Sequence, residues 1–151
     1  MCAEVEKLIN TVLDEADSIS DLVVVMREQR DAMRDRDTEV INELMNETRD
    51  ISFEVQKYET LRDDLARKLA AKFLCEPRVS SLVSIMSEDE QEKFDEAAES
   101  LKQSVFALKS EIMILNGLID QNEKYTSMLL SEWRRLNGDT ISQSGSADFR
   151  G

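Results

Sequence analysis

The sequence predicts an all-α protein built from long helices. Only one of its 151 residues is proline and four are glycine, so few positions can interrupt a helix. Charged residues make up 34% of the chain and hydrophobic residues 41%, a balance typical of solvated helices that each bury one narrow apolar stripe. Apolar residues also recur at alternating steps of four and three. We therefore expect an antiparallel helical hairpin, a short linking helix and one long C-terminal amphipathic helix, packed as a coiled-coil-like bundle.

The first helix is expected from about Ala3 to Arg34. Its apolar stripe is interrupted once, by Arg30. The polar run that follows offers Asp37 or Thr38 as the N-cap of a second helix. A connection this short predicts that the two helices are antiparallel. The stripe consists of Val5, Ile9, Val12, Ala16, Ile19, Val23, Met26 and Met33, widened by Leu8, Leu13 and Leu22.

The second helix is expected from about Thr38 to Leu74. Pro77 forces Glu76 out of the helical region, so the helix should end before it. Residues Arg78 to Met86 then predict a short helix or a buried turn that closes one end of the bundle. The stripe of the second helix consists of Ile41, Leu44, Thr48, Ile51, Val55, Tyr58, Leu61, Leu65, Leu69 and Phe73.

The longest predicted helix follows Ser87 and runs to Asn137. Ser87 and Glu90 have the spacing of a capping box, and Asn137-Gly138 is a stop signal. About 49 helical residues reach roughly 73 Å. The apolar seam with its two polar members consists of Phe94, Ala98, Leu101, Val105, Leu108, Ile112, Leu115, Ile119, Asn122, Thr126, Leu129, Trp133 and Leu136.

Residues 1–138 are expected to form a single all-α helical-bundle domain. Residues 139–151 are polar, with Ile141 and Phe149 as their only large apolar side chains. This is too little apolar surface to order a segment by itself. We therefore predict a flexible tail after the domain.

Charge and composition exclude several classes of function. A net charge of -13 opposes binding to nucleic acid or insertion at an anionic membrane, because both need clustered Lys and Arg. Without any His the chain lacks an imidazole base and a Glu-x-x-His metal site, and Cys2 and Cys75 have no metal-ligand spacing. No stretch resembles a signal peptide or a membrane span. We therefore expect a cytoplasmic protein that is not an enzyme, uses no cofactor or metal, and acts by binding another protein.

The helix lengths predict an uncovered apolar surface. A hairpin of about 32 to 37 residues covers roughly 48 to 55 Å of the last helix, which leaves about 15 residues of seam to project. Exposed apolar stripes with Trp and Tyr are typical of binding surfaces. The alternatives are that the last helix folds back or that a second copy covers the seam. The predicted binding residues in this part are Leu118, Ile119, Asn122, Tyr125, Leu129, Leu130, Trp133 and Leu136.

The same part of the chain carries a family resemblance. The stretch from Leu115 to Ile119, followed by Gln121-Asn122, resembles the Asn-Gly-Leu-Leu region of the FlgN-type flagellar export chaperones. The order of elements is also similar to that family along the whole chain. The resemblance implies an acidic cytoplasmic chaperone whose last helix and tail bind the C-terminal helical segments of hook-filament junction (hook-associated) proteins. It implies that these clients are kept unpolymerised and delivered to the type III export gate. The motif residues that would hold the client are Asn116, Gly117, Leu118 and Ile119.

The tail departs from the family pattern. The family's Tyr-x-x-x-Gly, which is associated with docking to the export gate, corresponds here to a run from Ile141 to Gly145. The glycine is kept and the tyrosine is absent. Gate docking by this motif would therefore depend on Gly145 together with Ile141 or Phe149.

Two other functions fit the same residues. A structural coiled-coil scaffold or adaptor would use the long helix to form a homodimer. A chaperone for a different secretion substrate would share the mechanism but not the client. The unequal helix lengths and the break at Pro77 favour a folded bundle over an extended rod, and the high net charge favours a chaperone that keeps its complex soluble.

Overall fold

The computed structural model describes residues 2–137, with the side chains of all of them except 122, 124–126, 128–130 and 132–137. Residues Met1–Ile114 form one compact unit and Leu115–Gly151 a second. The described residues form helices and no strand, which confirms the all-α class, while the single domain over residues 1–138 stays a prediction. The four helices are α1 (Ala3–Asp35), α2 (Thr38–Lys72), α3 (Val79–Ser84) and α4 (Glu88–Asn137).

Helices α1 and α2 form the predicted antiparallel hairpin. Lys72 Nζ lies 2.9 Å from Glu4 Oε1 at the open end, and Gln29 Nε2 donates to Thr48 Oγ1 at 2.7 Å nearer the turn. The polar member of the α2 stripe, Thr48, is therefore used to hold α2 against α1. Asp37 Oδ1 accepts a hydrogen bond from a backbone N–H in the first turn of α2, which confirms it as the N-cap.

Both helices of the hairpin end on a non-glycine residue in the left-handed conformation. Arg36 follows α1 with φ 56° and Leu74 follows α2 with φ 53°. At the end of α2 the Cys75 N–H donates to Ala70 O at 3.0 Å and the Leu74 N–H to Ala71 O at 3.4 Å. This pair of bonds is a Schellman motif, which satisfies carbonyls that the helix itself leaves unpaired.

Helix α2 ends before Pro77, as predicted, and two residues before the expected end at about Leu74. The helix ends at Lys72, before Pro77 exerts any restriction on its neighbours. The Schellman motif ends the helix first. In most sequences a glycine marks the left-handed position of this motif, and here that position is Leu74.

Replacing Leu74 by Gly is expected to stabilise the protein. A non-glycine residue in the left-handed region costs roughly 1–2 kcal/mol, against a cost of about 0.5–1 kcal/mol for the extra freedom of glycine in the unfolded chain. Leu74 is 93% exposed, so the substitution removes no packing. We expect the unfolding free energy in urea to rise by about 0.5–1 kcal/mol. Lys68→Gly, at an exposed position inside α2, is the control and should lower it by about 1 kcal/mol. A loss of stability in Leu74→Gly would contradict the left-handed assignment.

Helix α1 is the most buried helix because it packs against both α2 and α4. It contributes fourteen buried residues where α2 contributes four, so its buried surface is wider than the single stripe predicted. Three predicted stripe members are off this surface: Leu13 is 39% exposed, and Met26 and Met33 are only half-buried. Polar side chains occupy part of the buried surface instead, namely Thr11, Glu15, Ser18 and Gln29.

Helix α4 docks parallel to α1. The hydroxyl oxygens of Ser20 and Ser104 lie 2.9 Å apart, and further along both helices Arg27 Nε donates to Glu111 Oε1 at 2.9 Å. Arg30 Nη1 lies 3.4 Å from the other Glu111 oxygen. The residue that interrupts the apolar stripe of α1 thus pairs with a buried carboxylate on α4.

The predicted capping box of α4 is confirmed. Ser87 N–H donates to Glu90 Oε1 at 2.9 Å, and Glu90 N–H donates to Ser87 Oγ at 3.2 Å. Glu90 Oε2 also accepts from the backbone N–H of Cys2 at 3.1 Å. Hydrogen bonds from the backbone of Ser87 and then of Cys2 lower the pKa of the Glu90 carboxyl, because they stabilise its charged form. One carboxylate therefore joins the N-terminal ends of α1 and α4.

The linking segment between α2 and α4 forms a short helix and closes the core of the first unit. Leu82 and Met86 are buried in one cluster with Leu69, which is fully buried. Phe94 and Ala97 of α4 belong to the same cluster. All four helices thus share this core.

Candidate partner-binding surface

The described part of the chain offers no cluster of side chains for metal binding. Between residues 2 and 137 no group of three His, Cys, Asp or Glu residues lies close enough to hold a metal ion. Cys2 and Cys75 are free thiols. None of the four described helices combines the length and apolar composition that crossing a bilayer requires.

The motif residues at the start of the second unit lie largely on the surface. Asn116 and Gly117 are exposed, Ile119 is 39% exposed, and Leu118 is half-buried. An apolar side chain and an amide are thus presented together on α4. Apolar groups beside polar groups are common in protein–protein interfaces.

Gly117 leaves open space on this surface. A Cβ atom placed on it would meet no atom within 4 Å. A glycine inside a helix costs about 1 kcal/mol relative to alanine, and no packing among the described residues requires it. The position therefore allows the backbone of a partner to approach α4 closely.

The remaining predicted binding residues are not all described. One set lies on α4 itself, continuous with the Asn116–Ile119 motif, but its side chains are outside the described residues: Asn122, Tyr125, Leu129, Leu130, Trp133 and Leu136. The residues predicted for gate docking, Ile141, Gly145 and Phe149, lie wholly outside the described part of the chain.

The seam of α4 is already partly exposed within the first unit, before the part that the helix lengths predict to project. Within the first unit, Leu101, Val105 and Leu108 are already half-buried only, and Ile112 is 38% exposed. Described side chains of α4 form hydrogen bonds and ion pairs with α1, with the N-cap residue of α1 and with the segment around α3. None of these interactions joins the described side chains of α4 to α2. The seam is therefore open on the side that faces α2.

A groove of about 850 Å³ opens between α2 and α4 within the first unit. Leu8 and Val12 of α1 line it, Ala66 contributes from α2, and Leu101 and Val105 contribute from α4. The segment around α3 lines one end. The sequence predicts neither the groove nor its depth. The apolar periodicity predicts which face of a helix is buried, but not the distance between that helix and its neighbour.

The α4 wall of the groove is basic. Lys102 and Lys109 line it on either side of Phe106, whose side chain is 74% exposed. Neither lysine forms an ion pair or hydrogen bond among the described side chains. Two unpaired cations beside an exposed aromatic ring are unusual for a chain with a net charge of -13.

The α2 wall of the groove is acidic. Glu59, Arg62 and Asp63 line it. The guanidinium of Arg62 is directed to the buried Glu15, with Nη1 3.4 Å from Oε2. Asp63 Oδ2 lies 3.0 Å from Arg67 Nε, so the unpaired charge that this wall presents to the groove is carried by Glu59.

Glu15 is buried beneath this wall without a full set of partners. It is 3% exposed, and its Oε2 atom accepts no hydrogen bond among the described residues. Burial raises the pKa of its carboxyl, Arg62 partly offsets that rise, and the charge of Glu59 adds to it. The ionised form of Glu15 is thus less favourable in the folded protein than in the unfolded chain.

Replacing Glu15 by Gln is expected to raise stability at pH 7 but not at pH 4. Because the folded pKa lies above the unfolded value of about 4.3, the folded state holds the proton more tightly. The contribution of Glu15 protonation to folding stability is complete below the unfolded pKa, and it is lost as pH rises through the folded pKa. Thermal unfolding of both proteins across this range measures the difference. Glu28→Gln, on an exposed position of α1, controls for the loss of one charge. A less stable Glu15→Gln at pH 7 would show that the pair with Arg62 outweighs burial.

Comparison with known families decides what kind of protein presents these surfaces. The family model described as FlgN protein matches residues 1–144. The chain belongs to the FlgN family. Members of this family are chaperones for flagellar export, a class that binds proteins and does not catalyse reactions. Comparisons with curated proteins and with solved structures gave no match.

Membership of the FlgN family extends over most of the predicted binding residues. The match includes the Asn116–Ile119 motif, the rest of α4 and Ile141, and it ends at residue 144. Gly145 and Phe149 lie beyond it. The resemblance seen in the sequence is therefore confirmed for the helical part of this FlgN-family chaperone.

Proposed function

We propose that this FlgN-family chain is a cytoplasmic chaperone for hook-filament junction (hook-associated) proteins. It binds their C-terminal helical segments, prevents their premature assembly and delivers them to the type III export gate. The family match over residues 1–144 carries the proposal. The net charge of -13 supports it, since a highly charged chaperone keeps an aggregation-prone helix in solution.

The proposed client site is the surface of α4 from Asn116 to Leu136. The open space over Gly117 and the exposure of Ile119 support this location. A client helix packs its apolar side on such a seam, as in other cases where a helix is recognised by an apolar surface. Leu129 and Trp133 then act as anchors one turn apart, because Trp and large aliphatic side chains contribute most at helical interfaces.

The proposed delivery step uses the tail. Ile141 and Gly145 stand where the family carries Tyr-x-x-x-Gly, and Phe149 supplies the only aromatic ring after Trp133. We propose that Ile141 or Phe149 provides the apolar contact at the gate in place of the tyrosine.

Light scattering of a co-expressed pair tests the proposed function. The full chain is produced together with an intact junction protein, and the masses after size-exclusion chromatography are measured. The proposal predicts one complex that contains a single copy of the client. A client that polymerises or aggregates to the same extent with and without the chaperone would refute it.

The second candidate function is a coiled-coil scaffold that acts by homodimerisation. It is favoured by the run of exposed apolar side chains at Ile112, Met113 and Ile114, which are 38%, 74% and 43% exposed. A scaffold predicts twice the monomer mass for the isolated chain by light scattering. The chaperone proposal predicts the mass of one chain plus one client segment when the segment is bound one to one.

A further inference from the structure

The groove between α2 and α4 combines three features that together indicate which kind of molecule it binds. Its floor is apolar, with Leu8 and Val12 below, and Leu101 and Val105 line it along α4. It runs along helices, and from the start of its lining on α4 to Lys109 it extends for about 20 Å. Its two walls carry opposite charge. A long apolar channel between two helices has the shape that accepts a third helix.

The cations on the α4 wall have a defined spacing. Lys102 and Lys109 are seven residues apart, so they lie on the same face of α4 and about 10 Å apart along its axis. Phe106 lies between them and is 74% exposed. A partner helix that packs alongside α4 meets both lysines with residues that are also seven apart.

We propose that this groove binds one amphipathic helix of another protein. The apolar seam of that helix fills the channel over Leu101 and Val105. Its flank towards α4 carries carboxylates seven residues apart, which pair with Lys102 and Lys109. Its flank towards α2 carries a cation that faces Glu59. The inference goes beyond the proposed function, because no residue of the groove belongs to the client segment Asn116–Leu136.

Charge and composition favour a partner helix over the two other occupants. A second copy of this chain would bring a further net charge of -13 to the first, and that repulsion opposes self-association. The chain's own residues 139–151 contain only Ile141 and Phe149 as large apolar side chains, eight positions apart. They cannot supply an apolar residue at every turn of a helix.

A stapled helical peptide tests the groove directly. The probe is a fluorescent peptide of about three heptads with leucine at a and d, glutamate along one flank and lysine along the other. Anisotropy is measured at low nanomolar peptide while the full chain is added. Phe106→Ala should weaken binding about thirtyfold, as expected for an interface aromatic. Phe53→Ala is the matched control, because Phe53 is 63% exposed on α2 and does not line this groove.

A charge reversal tests which flank faces which wall. The double variant Lys102→Glu with Lys109→Glu should bind a probe with lysine on both flanks at least about tenfold more tightly than it binds the original probe. The unaltered chain should show the opposite preference. The control double variant, Lys7→Glu with Lys68→Glu, changes the net charge equally outside the groove and should keep the preference of the unaltered chain.

Four results would overturn the inference. The first is no binding of the mixed-flank probe by the unaltered chain at about 100 μM. The second is an equal effect of the Phe106 and Phe53 substitutions. The third is a gain of tenfold or more in probe affinity when the chain is ended after Asn137, which would identify the chain's own tail as the occupant. The fourth is a dimer in light scattering that Phe106→Ala dissociates, which would identify a second copy.

Discussion

Replacing Leu129 and Trp133 together by Ala is expected to weaken binding of a junction-protein C-terminal segment by at least about a hundredfold. The two positions lie four residues apart on α4, so helical periodicity places them on neighbouring turns of the same helix face. Each large side chain buried at an interface hot spot contributes roughly 2 to 4 kcal/mol. Isothermal titration of the double variant with the segment measures the loss.

The fold should change far less than the binding. Every buried apolar side chain among the described residues lies between Val5 and Ala97, so these substitutions leave that core intact. Met45→Ala with Phe53→Ala, two exposed apolar positions on α2, is the control and should bind normally. Unchanged binding in the Leu129 and Trp133 variant would place the client site elsewhere. Dissociation of a homodimer by the same variant would favour the scaffold function.

Replacing Leu69 by Ala is expected to produce the largest loss of stability. Leu69 is 0% exposed and belongs to the core cluster that all four helices share. A buried Leu→Ala substitution costs about 2–5 kcal/mol, through lost burial and the cavity that remains. We expect the urea midpoint to fall accordingly, with the melting temperature lower by roughly 10 °C.

The control for this prediction is an exposed position of the same helix. Met45 is 58% exposed, so Met45→Ala should change the unfolding free energy by no more than about 0.5 kcal/mol. If Leu69→Ala lowers the unfolding free energy by less than about 1 kcal/mol, the packing of α3 and α4 does not rely on Leu69, which contradicts the shared core.

Local signals in the sequence were sufficient to place most of the helices. The capping box of Ser87 and Glu90 and the N-cap at Asp37 depend on a few neighbouring residues, and the structure confirms both. The closure after α2 was not foreseen, because Leu74 adopts a conformation that sequence arguments reserve for glycine. A helix end can thus be predicted from the sequence only where it uses the residue type that is common at that position.

Packing between helices was less predictable. The stripe of α1 was expected to be a single apolar face, yet Glu15 and Gln29 are buried on it because two helices cover α1. Arg30 was recognised as an interruption, but its partner Glu111 lies far away in sequence on a different helix. Periodicity identifies which residues are apolar and cannot show which helices meet.

The candidate site was predictable only in part. The motif at Asn116 and Gly117 was found from a family resemblance, and the structure places both on the surface. Lys102 and Lys109 went unnoticed, because isolated lysines on a long helix normally belong to a solvated face. Their significance depends on the distance between α2 and α4, which only the folded chain defines.

Titration of the unaltered chain with the C-terminal helical segment of a hook-filament junction protein tests the central claim most directly. The account predicts one-to-one binding with a dissociation constant of about 1 μM or tighter, and no heat from a segment of the same composition in scrambled order. Absence of binding to the native segment at about 100 μM, or equal binding to the scrambled one, would contradict the assignment of this chain as a chaperone for those clients.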